Sequence, residues 1–172
     1  MSDKDDSTER NYLVPSGGNK LARRSDALVV RGLRDLKAVE QGGKGRIFVV
    51  DDQESLREVI CSMLTSAGYE CTAFAGGLEA IASLESGEKC DLLLTDLLNL
   101  PLDGFSLLER IKQTFPKVEV VIASAIHDDA VTESCIRSGA YQYLREPFER
   151  EQLLDAVSRA LEHRRVKLEH HE

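Results

Sequence analysis

Several features of membrane and secreted proteins are missing from this chain of 172 residues. No stretch approaches the roughly 20 apolar residues that a membrane-spanning helix needs, so no contact with a membrane is expected. The first residues, MSDKDDSTER, are acidic and polar, whereas a secretory signal has an apolar core. The cysteines form no Cys-x-x-Cys pair and therefore show no metal or redox motif; they are Cys61, Cys71, Cys90 and Cys135. We expect reduced thiols in the core of a cytoplasmic protein.

Positive charge is scarce in most of the chain. Residues 1–46 hold ten Lys and Arg against seven Asp and Glu, a net charge of +3, and the remainder holds twelve against twenty-three, a net charge of −11. A body this acidic repels the phosphate backbone of DNA or RNA. We therefore expect no binding of nucleic acid, because the weakly basic head does not offset this repulsion.

The N-terminal part of the chain has its own pattern. Residues 1–20 are polar and contain PSGGN, which is typical of a disordered leader. In residues 21–45, apolar side chains recur at helical spacing and are followed by the flexible sequence QGGKG. This predicts an N-terminal extension with a short amphipathic helix and a glycine-rich linker. A domain is then expected over residues 46–165, with a helix end or tail over residues 166–172.

From residue 46 onward, short apolar runs alternate with helical patterns. The runs are RIFVV, YECTAF, CDLLLTD, VEVVIAS and YQYLR, and Pro147 is expected to open the last helix. Apolar strands without polar alternation are buried on both faces, as in a parallel sheet. Right-handed crossovers then place helices on both sides of that sheet. The predicted fold is α/β, a flavodoxin-like, doubly wound, five-stranded parallel sheet with strand order 2-1-3-4-5 and ligands at the carboxyl ends of its strands.

Acidic residues follow two strands that this order makes neighbours. Asp51 and Asp52 come after the first run, and Asp96 ends the third. Crowded carboxylates repel one another unless a cation lies between them, and their oxygen atoms suit Mg²⁺. An aspartate in such a site can attack phosphorus and form an aspartyl phosphate. Ser124, at the end of the fourth run, is placed to bond a phosphoryl oxygen.

These motifs resemble the receiver domain of two-component response regulators, the CheY-like family. The resemblance covers about residues 46–165 and rests on RIFVVDDQESLR, CDLLLTD followed by PLDGFSLLERI, VVIASA and GAYQYLREPF, in that order. It implies that Asp96 is the phosphoacceptor. It also implies that Asp51, Asp52, Asp96 and the backbone carbonyl of Leu98 hold Mg²⁺.

The family resemblance also implies a switch and a set of partners. Ser124 would occupy the switch hydroxyl position and Tyr143 the switch aromatic position. The phosphodonor would be a phosphohistidine on a histidine kinase or a histidine phosphotransfer protein. The signal would pass to a downstream protein partner, and receivers also allow a homodimer through helix 4, strand 5 and helix 5. Such a domain is a phosphoacceptor in signalling rather than an enzyme.

Two positions depart from the family pattern. Pro101 lies five residues after Asp96, where the family usually has proline at the fourth, although Asp103 and Gly104 keep their usual spacing. We therefore expect a re-routed loop rather than a longer one. Glu146 stands where the family usually carries a lysine that pairs with the phosphoryl group.

Glu146 leaves two functions open. Unit charges about 4 Å apart interact by about 4 kcal/mol at an effective dielectric near 20, so an inward carboxylate would oppose the phosphoryl group. Arg145 compensates only if the strand end twists or bulges, because neighbouring side chains alternate between faces. The chain is then either a phosphoacceptor of a phosphorelay or a phosphate-independent pseudo-receiver that works as an interaction module. A phosphohydrolase is disfavoured, because Leu98 stands where such enzymes commonly place a second acid.

Overall fold

The computed structural model describes residues 43–99 and 101–170. The predicted leader, the predicted amphipathic helix, the first two residues of its linker and the last two residues of the chain lie outside this part. Strands and helices alternate throughout the described residues. The strands are β1 (Arg46–Val50), β2 (Glu70–Phe74), β3 (Leu92–Thr95), β4 (Glu119–Ser124) and β5 (Gln142–Arg145). The helices are α1 (Glu54–Ser66), α2 (Gly77–Glu85), α3 (Gly104–Thr114), α4 (Asp129–Arg137) and α5 (Arg150–Glu169).

The strands form one parallel sheet in the order β2-β1-β3-β4-β5, which confirms the predicted fold class and strand order. Val50 of β1 pairs with Thr95 of β3, and Thr95 pairs with Ile122 of β4. The carboxyl ends of these three strands are therefore level. Side chains that follow them along the chain are brought to one edge of the sheet.

Each face of the sheet buries its own apolar cluster, because alternate strand residues point to opposite faces. Phe48 and Val50 belong to the cluster beneath α2, α3 and α4, while Ile47 and Val49 belong to the cluster beneath α1 and α5. The central strands are buried along their whole length. This arrangement explains why the strand sequences are continuously apolar.

Side-chain caps set where two of the helices begin. The Asp103 carboxylate accepts a hydrogen bond from the backbone N–H of Ser106 at the start of α3, and Asp128 does the same for the first turn of α4. The predicted opening of the last helix at Pro147 is wrong by three residues. The helix begins at Arg150, because Glu149 and the residue three positions after it close a capping box.

Ion pairs hold α5 to the amino-terminal edge of the sheet. The buried carboxylate of Asp91 bonds Arg46 of β1 and lies 3.1 Å from Arg164 of α5. Glu119, which is 3% exposed, lies 3.2 Å from His163 of the same helix. The helix therefore continues as an ordered element beyond residue 165. Within residues 43–99 and 101–170, no helix combines the length and the apolarity needed to span a membrane.

Candidate functional site

The carboxyl ends of β1 and β3 bring two aspartates together. Asp51 and Asp96 are 3% and 9% exposed, whereas Asp52 is exposed to solvent. The Asp51 carboxylate accepts a hydrogen bond of 2.8 Å from the backbone N–H of Gln53, and Asp96 accepts one of 2.6 Å from the N–H of Leu97. Each buried carboxylate is thus oriented by the backbone that follows its strand.

Negative charge accumulates at this edge. Burial raises the pKa of the Asp51 carboxyl, and the charges of Asp96 and Asp52 raise it further against the opposing hydrogen bond from Gln53. The guanidinium of Arg57 donates a hydrogen bond to the backbone carbonyl of Asp51 and brings positive charge nearby. The charges of neighbouring carboxylates therefore disfavour the anionic form of Asp51.

A buried asparagine that the sequence reasoning missed ties the two strand ends together. The side chain of Asn99 is fully buried and its amide nitrogen donates to the carbonyl of Val50 and to the Thr95 hydroxyl, both at 3.1 Å. Its oxygen accepts from the backbone N–H of Asp52 at 3.0 Å. Asn99 thus fixes the loop after β3 against the end of β1.

Gly104 fixes the far end of the same loop. Its N–H donates to the carbonyl of Leu97 at 3.0 Å, and a Cβ at this position would run into the carbonyl oxygen of Asp96. Only glycine therefore allows the start of α3 to approach the backbone of Asp96 this closely. The re-routing of the loop that the position of Pro101 suggests stays a prediction.

The predicted switch residues lie beside each other. Ser124 ends β4 with its side chain fully buried, and its hydroxyl accepts from the backbone N–H of Ile126 at 3.4 Å. The Tyr143 ring is buried, and its hydroxyl donates to the carbonyl of Ile126 at 2.8 Å. Both side chains therefore bond the same residue of the loop before α4.

Glu146 faces the acidic edge rather than solvent. Its Oε1 atom is buried and has no hydrogen-bond partner. Burial raises the pKa of this carboxyl most, and the charges of Asp96 and Asp51 raise it further. The backbone carbonyl of Glu146 lies 2.7 Å from Nε2 of the exposed His127, which links the loops after β4 and β5.

An apolar cavity of about 400 Å³ adjoins Glu146. It opens between α1 and the segment that precedes α5. Its walls are Leu56, Val59, Ile60, Met63, Ala125, Glu146, Pro147 and Phe148. An uncharged surface therefore borders the carboxylate cluster.

Comparisons with known proteins agree with this arrangement. The family model described as the response regulator receiver domain matches residues 47–158. The chain belongs to the response regulator receiver family. The transcriptional regulator NtrC of Salmonella typhimurium is 38% identical over 120 residues, which are 70% of this chain and 25% of that protein. The chain thus spans about a quarter of the length of the NtrC proteins it matches.

Solved structures of receivers have the same fold. NtrX from Brucella abortus, determined in complex with ATP, matches with a TM-score of 0.68 and 31% identity over 73% of this chain and 28% of that one. The signal receiver domain of an HD domain-containing protein from Pseudomonas fluorescens Pf-5 matches with a TM-score of 0.67 and 27% identity. That match covers 71% of this chain and 98% of the other, so the described domain corresponds to a whole receiver.

The receiver has no cation at the position of the family's lysine. The Arg145 guanidinium forms an ion pair with Asp129 at the start of α4, so the compensation considered for this residue is not what the structure shows. Arg150 donates to the Ser66 hydroxyl at the end of α1. Strand alternation explains where Arg145 lies, because Arg145 and Glu146 leave β5 on opposite sides.

Receiver domains generally bind Mg²⁺ at the phosphorylation site. The carboxylates of Asp51, Asp52 and Asp96 are of the type that Mg²⁺ prefers. Burial is the main cause of the raised pKa of Asp51, and the charges of Asp96 and Asp52 add to it. Within the described part of the chain, no three acidic, His or Cys side chains lie close enough to hold a metal by themselves. The three predicted carboxylate ligands therefore form no such group in this structure, and their joint role in binding Mg²⁺ stays a prediction. Leu98 is 61% exposed, and the role of its carbonyl stays a prediction.

Proposed function

We propose that this receiver domain signals by protein contact and that Glu146 makes Asp96 a poor acceptor of a phosphoryl group. The observation that supports this most directly is the buried Oε1 atom of Glu146, which has no hydrogen-bond partner. In a receiver, that position normally supplies a cation to the phosphoryl oxygens. Here a carboxylate is directed toward two other carboxylates, those of Asp51 and Asp96.

The free-energy cost of having Glu146 in place of a lysine determines how much slower the phosphorylation of Asp96 should be. Unit charges about 4 Å apart at an effective dielectric near 20 interact by about 4 kcal/mol, and partial exposure of Glu146 reduces this value. A remaining penalty of about 3 kcal/mol in the transition state corresponds to about a hundredfold in rate. Phosphorylation of Asp96 would then be slow, and the domain would signal through protein binding without it.

A second candidate is the ordinary function of a phosphoacceptor in a phosphorelay. It is favoured by the burial of Asp96 at the end of β3 and by the Ser124 hydroxyl at the end of the adjacent strand. An Asp96 carboxylate oxygen would attack the phosphorus of a phosphohistidine, the N–P bond would break, and the donor's imidazole would leave. The Ser124 hydroxyl would bond a phosphoryl oxygen. Mg²⁺ held by Asp51, Asp52 and Asp96 would neutralise charge on the transferring group.

A single substitution separates the two candidates. Purified protein is incubated with acetyl phosphate and Mg²⁺, and the gain of one phosphoryl group is followed by intact mass. We expect little or no gain in the natural protein and a gain about a hundredfold faster in Glu146→Lys, because the cation returns to the pocket. Adding Asp96→Asn to that variant should abolish the gain.

The matched control makes the same change of charge, from glutamate to lysine, at a residue far along the chain from Glu146. Glu109 is exposed on α3, so Glu109→Lys should phosphorylate like the natural protein. Circular dichroism checks that each variant is folded. If the natural protein gains the group on Asp96 as fast as Glu146→Lys does, the proposal is wrong and the phosphorelay function stands.

The partners proposed for this domain follow from its family. Receivers work with histidine kinases, and one match to this chain is the sensor kinase CckA of Brucella abortus, which is 28% identical over 127 residues. A histidine phosphotransfer protein as donor, a downstream protein in the cytoplasm and a homodimer through α4, β5 and α5 remain proposals. The NtrC matches are described as DNA-binding regulators, but this chain spans about a quarter of them. The absence of nucleic-acid binding therefore stays a prediction for these residues alone.

A further inference from the structure

The amino-terminal edge of the sheet carries a surface that the proposed function does not use. Three adjoining cavities of about 310, 340 and 510 Å³ open there, and Pro116, in the loop between α3 and β4, lines all three. We call the surface that they form around Pro116 the amino-edge groove. It lies at the opposite ends of the strands from Asp96 and Glu146, so it is separate from the acidic edge.

Positive charge is concentrated in this groove. Of the twelve Lys and Arg residues that follow Arg46, six line it: Lys89, Lys112, Lys117, Arg137, Arg164 and Lys167. Arg46 is a seventh, and the acidic residues that line it within the described part of the chain are Glu88 and Glu119. The other six cations stand against twenty-one carboxylates elsewhere in residues 47–172. The groove is therefore a basic surface on a domain that is otherwise strongly acidic.

Only part of this positive charge is balanced inside the domain. Two buried carboxylates, Asp91 and Glu119, form ion pairs with four of the cations: Arg46, Lys112, Arg164 and Lys167. The other three, Lys89, Lys117 and Arg137, are exposed, and no acidic side chain of residues 43–99 and 101–170 pairs with them. Arg137 lies in the last turn of α4, where positive charge also suits the helix dipole, but Lys89 and Lys117 lie in loops. Their charges are therefore available to an anionic ligand.

The groove also presents apolar side chains. Phe115 and Pro116 line the cavity that Lys89 and Lys117 share, and Leu168 lines the cavity beside it. Apolar surface next to unpaired cations fits a peptide that carries both acidic and apolar side chains. A nucleic acid fits less well, because its sugar–phosphate backbone offers no apolar side chain and would approach a domain whose remaining charge is negative.

We propose that the amino-edge groove binds an acidic segment of a partner protein. Carboxylates of that segment pair with the exposed cations Lys89, Lys117 and Arg137, and its apolar side chains pack on Phe115 and Pro116. Single exposed ion pairs are weak, so the affinity comes from several of them together with the apolar contact. The contact requires no change at the acidic edge, and it therefore does not rest on whether the domain accepts a phosphoryl group.

A model peptide tests the chemistry of the groove. The probe is a fluorescein-labelled peptide that repeats Glu-Asp-Leu four times, and its binding to the natural protein is followed by fluorescence anisotropy without acetyl phosphate. We expect saturable binding that weakens as salt is added, because salt screens exposed charges. A peptide that repeats Ser-Asn-Leu and a single-stranded oligothymidylate should bind much more weakly. Equal or tighter binding of either would overturn the assignment of an acidic peptide as the ligand.

Charge reversals locate the contact. Lys89→Glu combined with Lys117→Glu should lower the affinity for the acidic peptide on the order of tenfold, because two attractions become repulsions. The matched control combines Arg110→Glu with Arg159→Glu, which reverse two exposed cations of α3 and α5 outside the groove. This control should bind the acidic peptide like the natural protein, and circular dichroism checks that both variants are folded.

Cross-linking gives a second readout that does not depend on variants. In the natural protein, a carbodiimide should join carboxylates of the acidic peptide to the amines of Lys89 and Lys117, and mass spectrometry of tryptic peptides identifies the sites. The proposal is refuted if the acidic peptide does not bind at low salt, if the two double variants lose affinity equally, or if the cross-links avoid both lysines.

Discussion

Replacement of Asn99 by alanine should loosen the site more than any surface change nearby. The amide makes hydrogen bonds to Val50, Thr95 and Asp52, at 3.1, 3.1 and 3.0 Å. A net contribution of about 1 kcal/mol per bond gives an upper value of about 3 kcal/mol. The carbonyl of Val50 keeps a second bond from the N–H of Asp96, so about 2 kcal/mol is the expected loss in the free energy of unfolding.

Equilibrium unfolding in urea measures this loss, and amide hydrogen exchange locates it. The N–H of Asp52 should exchange faster in Asn99→Ala, because its acceptor is removed. Asn99→Asp keeps the shape and the acceptor but loses both donors and adds a charge beside Asp51 and Asp96, so it should be at least as destabilising.

The neighbouring Leu98→Ala is the matched control. Leu98 is 61% exposed, and a surface substitution of this kind usually changes stability by less than about 0.5 kcal/mol. If Asn99→Ala unfolds at the same urea concentration as Leu98→Ala, with Asp52 still protected, the bridging role assigned to Asn99 is refuted.

Two further predictions concern the frame of the domain. Gly104→Ala should lower the free energy of unfolding by several kcal/mol, because its Cβ would also lie 2.9 Å from the Cα of Leu97. Gly87→Ala should lower it by only about 1 kcal/mol, because the residue has a positive φ but open space around it. Equal urea midpoints for the two variants would contradict this prediction. For Asp91, burial raises the carboxyl pKa, but hydrogen bonds from Arg46 outweigh it, so the folded pKa is lowered. Its contribution is present above the unfolded pKa of about 4 and is lost as pH falls through the lowered folded pKa. Asp91→Asn should therefore be less stable than the natural protein by about 2 kcal/mol near pH 7 and by less near pH 3; a constant gap in unfolding free energy across this range would contradict the assignment.

The sequence was sufficient to predict the fold because the central strands β1, β3 and β4 are mostly apolar runs that are buried along nearly their whole length. Burial on both faces demands a parallel sheet with helices on each side, and few chain paths satisfy that demand. Helix starts were less predictable. Pro147 resembles a first helical residue, but the reciprocal bonds of the capping box at Glu149 decide where α5 begins.

Helical spacing alone would assign too wide an apolar face to three of the helices. Val59, Leu78 and Ile136 recur with the core residues of their helices, yet they are 50%, 47% and 43% exposed. Spacing reports only the side of a helix on which a residue lies. How far the sheet extends beneath that side depends on tertiary packing.

The site was predictable where strand ends alone determine it. Asp51 and Asp96 meet because β1 and β3 are neighbours, which the strand order implies. Asn99 was missed because its partners come from β1, far along the chain, although a lone amide in the apolar stretch LLNLPL is a signal that could have found it. The sequence left open on which side of β5 the Arg145 side chain lies. Alternation along the strand favoured the side away from Glu146, but a twist of the strand end could have reversed it.

In this receiver, the contacts that position Asp96 are independent of the charge at position 146. Asp96 is positioned by the N–H of Leu97, by the bridge through Asn99 and by the close approach of Gly104. None of these contacts involves the side chain at position 146. A lysine there would consequently enter a pocket whose carboxylates and switch hydroxyl are already in place. Under the proposed function, the charge at position 146, rather than a difference in fold, is therefore expected to decide between a phosphoacceptor and an interaction module.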